Sequence, residues 1–194
     1  SVKMDIPKFT LVGATTRSGL LTAPLRSRFG IVEHLEYYDF EDLAKIVTRS
    51  ASILNVPADN EGALEIALRA RGTPRIANRL LRRVRDFAQV EGDGKITKSA
   101  ALKGLERLRV DSEGLDELDL RVIKYLMERC GGGPAGVQSI AVGVSEDAET
   151  IEELCEPYLI QQGFLRRTST GRILTEKAYK HFGNPPPSKL QSLF

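Results

Sequence analysis

The residues of this 194-residue sequence that could act on a ligand are mostly cations, and they fall in three groups. Arg26 and Arg28 stand in the run Pro24-Leu25-Arg26-Ser27-Arg28-Phe29-Gly30. Arg69, Arg71, Arg75, Arg79, Arg82, Arg83 and Arg85 crowd one stretch. Arg166, Arg167 and Arg172 surround Thr168-Ser169-Thr170-Gly171. A guanidinium keeps its charge and presents several donors in a planar fork, which suits phosphate oxygens. Covalent chemistry has no such support. His34 and His181 stand alone, and no Ser/His or Cys/His pair is visible. Cys130 and Cys155 make no Cys-x-x-Cys spacing. They read as reduced thiols of a cytoplasmic protein, and no metal site is expected.

A glycine-rich phosphate cradle of the form Gly-x-x-x-x-Gly-Lys-Ser/Thr is absent from these 194 residues. Gly92-Asp93-Gly94-Lys95 lacks both the glycine spacing and the hydroxyl after lysine, and reads as a turn. Lys and Arg total 28 against 26 Asp and Glu, a net charge of +2, so any nucleic-acid contact must be local. The 41% apolar content supports real cores, and no apolar run approaches the roughly 18 residues of a membrane span. The opening Ser-Val-Lys-Met-Asp-Ile-Pro is neither a signal nor a transit peptide and reads like the middle of a longer protein.

The elements that must position these cations form three segments and a tail. In residues 1–37, Phe9 to Thr16 is an apolar run closed by small polar residues, as in a buried parallel strand. Ile31 to Glu36 alternates like a second strand. Two strands and a turn make no core, so this segment is a remnant of a larger α/β domain. Residues 38–112 are helical. Asp39, then Asp59 or Asn60, then Thr73 with Pro74, then Thr97 or Ser99 supply helix starts. Residues 113–183 predict a helix through Leu118, Val122 and Leu126, a short helix from Val137, and a longer one capped by Ser145. A β-hairpin over Phe164 to Thr175 and a last helix from Glu176 follow. That order is a winged helix. The tail, 184–194, carries Pro185-Pro186-Pro187 and reads as flexible. The fold class is therefore mainly α.

Three motifs, in order, resemble one family. Val12-Gly13-Ala14-Thr15-Thr16-Arg17 with the Pro24–Gly30 run resembles the sensor 1 strand and arginine-finger region of AAA+ ATPases. Gly72-Thr73-Pro74-Arg75-Ile76-Ala77-Asn78-Arg79 resembles their sensor 2 helix. Glu156-Pro157-Tyr158-Leu159-Ile160-Gln161-Gln162-Gly163-Phe164-Leu165 is similar to the winged helix of the RuvB family, ring-forming motors of Holliday-junction branch migration. The likeness runs from about Phe9 to Phe182. It implies an ATP-dependent DNA translocase or helicase working as a homohexameric ring, with ATP or ADP and Mg2+, a double-stranded junction and a RuvA-like partner. It implies Thr15 as sensor 1, Arg28 as the finger with Arg26 its near competitor, and Arg75 as sensor 2. Tyr38 would lie near the adenine, or else in the domain core. Arg167 and Arg172 match wing arginines, with Arg166 beside them. Without a phosphate cradle, these 194 residues alone are expected neither to hydrolyse ATP nor to bind it tightly.

The charge pattern adds a constraint of its own. The helix that would enter a major groove carries Glu146, Asp147, Glu149, Glu152, Glu153 and Glu156, which phosphates repel. DNA is therefore expected at the wing, through phosphates and with little base reading. Arg75, Arg79 and Arg82 share a helix face that serves a solvated or subunit-interface role in preference to DNA. Two other readings compete. A stand-alone winged-helix regulator would need a basic recognition helix and no Arg28 or Arg75. A clamp-loader-type scaffold subunit would end in a helical collar in place of a wing.

Overall fold

The structure is a computed structural model that describes residues 7–15 and 18–187. The chain divides into two units, Ser1–Glu36 and Tyr37–Phe194. In the first, a 3-10 turn at Ser18–Leu20 precedes α1, Ala23–Arg26, which has Pro24 in its first turn. The two strands expected over Phe9–Thr16 and Ile31–Glu36 do not form among the described residues (Thr16 and Arg17 fall outside them). Phe9, Leu11, Val12, Ile31, Val32 and Leu35 are instead exposed. The apolar pattern is there, but a strand needs a hydrogen-bonded neighbour on each buried edge, and these segments have none.

The second unit begins with four helices: α2 (Phe40–Ile53), α3 (Asn60–Leu68), α4 (Pro74–Glu91) and α5 (Lys98–Arg107). Each starts on a side chain that satisfies an orphan amide. Asp39 accepts from Asp42 N at 2.7 Å, and Asp59 from Gly62 N at 2.6 Å. Thr73 accepts from Ile76 N, and Thr97 from Ala100 N. Leu43, Val47, Ile66, Leu81, Val84, Ile96 and Leu105 close one core between them.

A separate core belongs to α6 (Glu117–Arg129), α7 (Val137–Val144), α8 (Ala148–Thr150), α9 (Glu156–Gln161), strands β1 (Leu165–Thr168) and β2 (Gly171–Leu174), and α10 (Glu176–His181). Ile123, Leu126, Ile140, Ile151, Leu159, Phe164 and Leu174 fill it. The strands pair antiparallel, with Leu165 opposite Leu174 and Arg167 opposite Arg172. Ala135 adds a single antiparallel bridge to Arg172, so the glycine-rich loop lies along β2. A Cβ at Gly133 would sit 2.3 Å from the Arg172 carbonyl oxygen, and only glycine permits that approach.

Two sequence expectations change here. Ser145 does not start a helix. It ends α7 in the left-handed region at φ 53°, its N–H turned back to Ala141 and Val142, and Asp147 occupies the next N-cap. The long helix expected after it is also broken. Ile151–Cys155 forms a π turn between α8 and α9, with the Glu156 N–H reaching Ile151 O. Pro157 has no N–H for the Glu153 carbonyl, so the helix re-registers just before it. The expected flexible tail lies outside the described residues from position 188 onward.

Candidate nucleotide-sensing and nucleic-acid interface

In the first unit, α1 is one turn long and Arg28 follows it directly. The Arg28 N–H bonds Leu25 O at 3.1 Å, and the Ser27 hydroxyl donates to Pro24 O. The Arg28 side chain is exposed and has no ion-pair partner among the described residues. A Cβ on Gly13 would lie 3.5 Å from the tip of the Phe29 ring, so the segment bearing Thr15 packs beside the turn bearing Arg28. Thr15 is exposed and, like Arg26, has an interaction partner.

The start of α4 gathers the second set. Gly72, at φ 68°, lets the chain turn under Tyr37, whose Cβ would otherwise meet a side chain there at 2.7 Å. The Gly72 carbonyl accepts from Tyr38 N at 2.9 Å. Tyr38 is therefore pinned to the turn that leads into Arg75, and half of its surface is exposed. Arg75 lies in the first turn of an 18-residue helix, exposed, where the helix dipole attracts anions. Arg79 and Arg82 continue its face, exposed and without an ion-pair partner among the described residues.

Arg71, in the same loop, does something else. Its guanidinium donates to Gly114 O at 2.9 Å and to Asp119 at 2.5 Å, lies 3.0 Å from Asp116, and stacks 4.5 Å over the Tyr158 ring. Tyr158 donates to Glu113 O at 2.6 Å. His181 meets Asp111 at 2.8 Å and Lys177 meets Glu113 at 2.8 Å. The segment joining α5 to α6 is thus fastened from both sides. Burial pushes the Asp119 carboxyl up to about 6 despite Arg71, and its Oδ1 has no hydrogen-bond partner. Burial also raises the Cys155 thiol and takes Tyr158 to about 12. These shifts mark a structural joint. Nothing in the sequence singled out Arg71, which sits in an aperiodic loop among many arginines.

The wing divides its arginines. Arg166 and Arg167 are exposed, and Arg166 has an interaction partner. Arg172 is buried, its side chain 8% exposed. It donates to Glu156 through both Nε and Nη2, at 3.1 and 2.8 Å, and to Glu152 at 2.8 Å. Burial works against its charge, but the two carboxylates outweigh that and hold its pKa above the ordinary arginine value. The sequence expectation of a phosphate-facing Arg172 thus meets a side chain already spent on the fold. Strand alternation alone does not give this: Arg167, across from Arg172 on the same face, lies two residues from buried Leu165 and is itself exposed.

Three family models match the chain in succession: the Holliday junction DNA helicase RuvB P-loop domain over residues 1–35, the RuvB AAA lid domain over 38–111, and the RuvB C-terminal winged helix domain over 112–183. The chain also superposes on solved structures of Thermotoga maritima RuvB. One, titled as the RuvB Holliday junction branch migration motor, is 50% identical at a TM-score of 0.83. The match covers 92% of this chain and 60% of that one. A mutant is 49% identical at a TM-score of 0.85, over 96% of this chain and 62% of the other.

The chain belongs to the RuvB family. It spans about 60% of the length of the RuvB structures it matches. The match to the RuvB P-loop domain is short and contains no P-loop. Helices α2–α5 are the RuvB lid, and α6 to α10 with the hairpin are the RuvB winged helix. Residues 112–183 hold twelve Asp and Glu against eight Lys and Arg, so this domain is net acidic. No described helix is long and apolar enough to cross a membrane.

Proposed function

We propose that this chain is the sensing and DNA-facing part of a cytoplasmic ATP-driven DNA translocase that moves Holliday junctions, working as a homohexameric ring with a RuvA-like partner. Near-50% identity to a branch-migration motor along more than nine-tenths of the chain carries this reading. The cations have a division of labour. Arg75 and Tyr38 meet the nucleotide from the lid, Arg75 through phosphate and Tyr38 beside the base. Thr15 contacts the terminal phosphate or its water. Arg28 reaches the nucleotide of a neighbouring subunit, where a guanidinium stabilises charge spreading over the transferring phosphoryl oxygens. Arg167 and Arg166 hold duplex phosphates at the wing, and Arg172 keeps the wing in place.

The donors present fit a polyphosphate: exposed Arg75 in the first turn of α4, and the exposed Arg28 guanidinium just after α1. ATP would supply the transferable phosphoryl group. Among the described residues there is no cluster of three or more His, Cys, Asp and Glu set to hold a metal ion. The 194 residues alone should turn over no ATP. In the intact motor, Arg28→Ala should lower ATP turnover about 10³-fold or more. Mixing it with subunits that keep Arg28 but lack a working phosphate cradle should restore turnover, because the finger acts across the interface. Wild-type turnover from Arg28→Ala subunits would contradict the assignment.

A further inference from the structure

Arg167 and Arg172 are direct cross-strand partners, so their side chains leave the hairpin on one face. That face looks onto Glu152 and Glu156. Two guanidinium groups therefore stand over two carboxylates, but the four groups are not equivalent. Arg172 makes short bonds to both acids, whereas Arg167 lies 3.7 Å from Glu152 and 3.8 Å from Glu156. Arg167 is 62% exposed where Arg172 is 8%. Glu156 is 5% exposed where Glu152 is 41%. Arg172 is a fixed joint to both acids. Arg167 is loose, at the surface, and open to exchange.

We propose that Glu152 is an internal competitor for DNA, a carboxylate that occupies Arg167 until a phosphate displaces it. This rests on the reading of the wing as the DNA-facing element. Long-range, half-exposed ion pairs of this kind are weak. A phosphate can therefore take Arg167 at small cost, and Glu152 can take it back when the DNA moves on. Arg172 does not follow, because Glu156 holds it with two hydrogen bonds. The wing keeps its shape while one contact is traded. For a protein that must pass along a duplex, such a competitor shortens each contact and keeps the unbound guanidinium oriented.

The competitor is read by a double-mutant cycle on the whole chain, using a mixed-sequence DNA duplex and fluorescence anisotropy at low salt. Glu152→Gln should tighten binding about 2- to 5-fold, the scale of a surface ion pair. The gain should disappear in an Arg167→Ala background. Melting curves of each variant check that the wing is intact, and Glu152→Ala, run through the same cycle, should change binding in the same direction. A gain of equal size with and without Arg167 would overturn the proposal, since it would report only the loss of a negative charge near DNA. Unchanged binding by both Glu152 variants would overturn it as well. A separate outcome, in which Arg167→Ala alone leaves duplex affinity unchanged, would strike the wing reading itself.

Discussion

The exposed face of α4 and the wing use arginine in opposite ways. On the lid, Arg75, Arg79 and Arg82 line one exposed face of α4 and have no ion-pair partner among the described residues. In the winged helix, which is net acidic, Arg172 is buried between Glu152 and Glu156, and Arg167 is loosely drawn to the same two acids. Lid arginines are also used in the wing's manner: Arg69 is buried on Glu65, and Arg71 is closed in by Asp116, Asp119 and Tyr158. The difference separates two jobs that composition cannot. A guanidinium paired within its own chain holds the fold, and one left open is available to another molecule. Within the net acidic domain, Glu152 and Glu156 are held by Arg172, and the wing still carries Arg166 and Arg167 at its surface.

Breaking the paired arginines should have the largest effect on stability. Arg71→Met leaves Asp119 buried with an unpartnered charge and should cost about 3–5 kcal/mol at pH 7.5, measured by urea unfolding. The pH dependence has a definite sign. The folded Asp119 carboxyl sits near 6, above its ordinary 3.8, so its contribution is fully present below pH 3.8 and is lost as pH rises through about 6. Arg71 offsets that loss at neutral pH. Removing it should therefore hurt more at pH 7.5 than at pH 5, where Asp119 takes up a proton. An equal cost at both values would mean that Asp119 does not feel Arg71.

Arg172→Met should come next, at on the order of 2 kcal/mol. That is less than the full penalty of a stranded buried charge, because Arg167 can move onto Glu156. The open arginines should sit at the other end of the scale. Arg28→Ala and Arg75→Ala should each change unfolding free energy by less than about 0.5 kcal/mol, as for ordinary surface substitutions. A large stability loss at either position would show a hidden intramolecular partner and blur the distinction.

Much of the architecture was legible because helix starts have local chemistry. Asp39, Asp59, Thr73 and Thr97 each accept from an amide two or three residues into their helix, and a reader needs only neighbouring residues to see that. The hairpin was legible for the same reason. The misread positions depend on groups far along the chain. Phe9 to Thr15 is written like a strand, yet strand formation is decided by a neighbour's hydrogen bonds. Ser145 is a good N-cap residue that the end of α7 uses in a left-handed turn. Of the candidate sites, the sensor and finger motifs could be read as motifs. The joint at Arg71 could not, since its partners lie more than forty residues away. The burial of Arg172 was not readable either, since it depends on Glu156 and Glu152, which lie 16 and 20 residues away.

On the proposed function, DNA is held by the exposed wing arginines and not by the acidic helix before it. The direct measurement is duplex affinity of the whole chain as a function of salt, for wild type and for Arg166→Ala with Arg167→Ala. Losing two phosphate contacts should weaken binding and reduce the slope of log affinity against log salt by about 2. An unchanged affinity and slope would place the DNA elsewhere on the molecule and contradict the account.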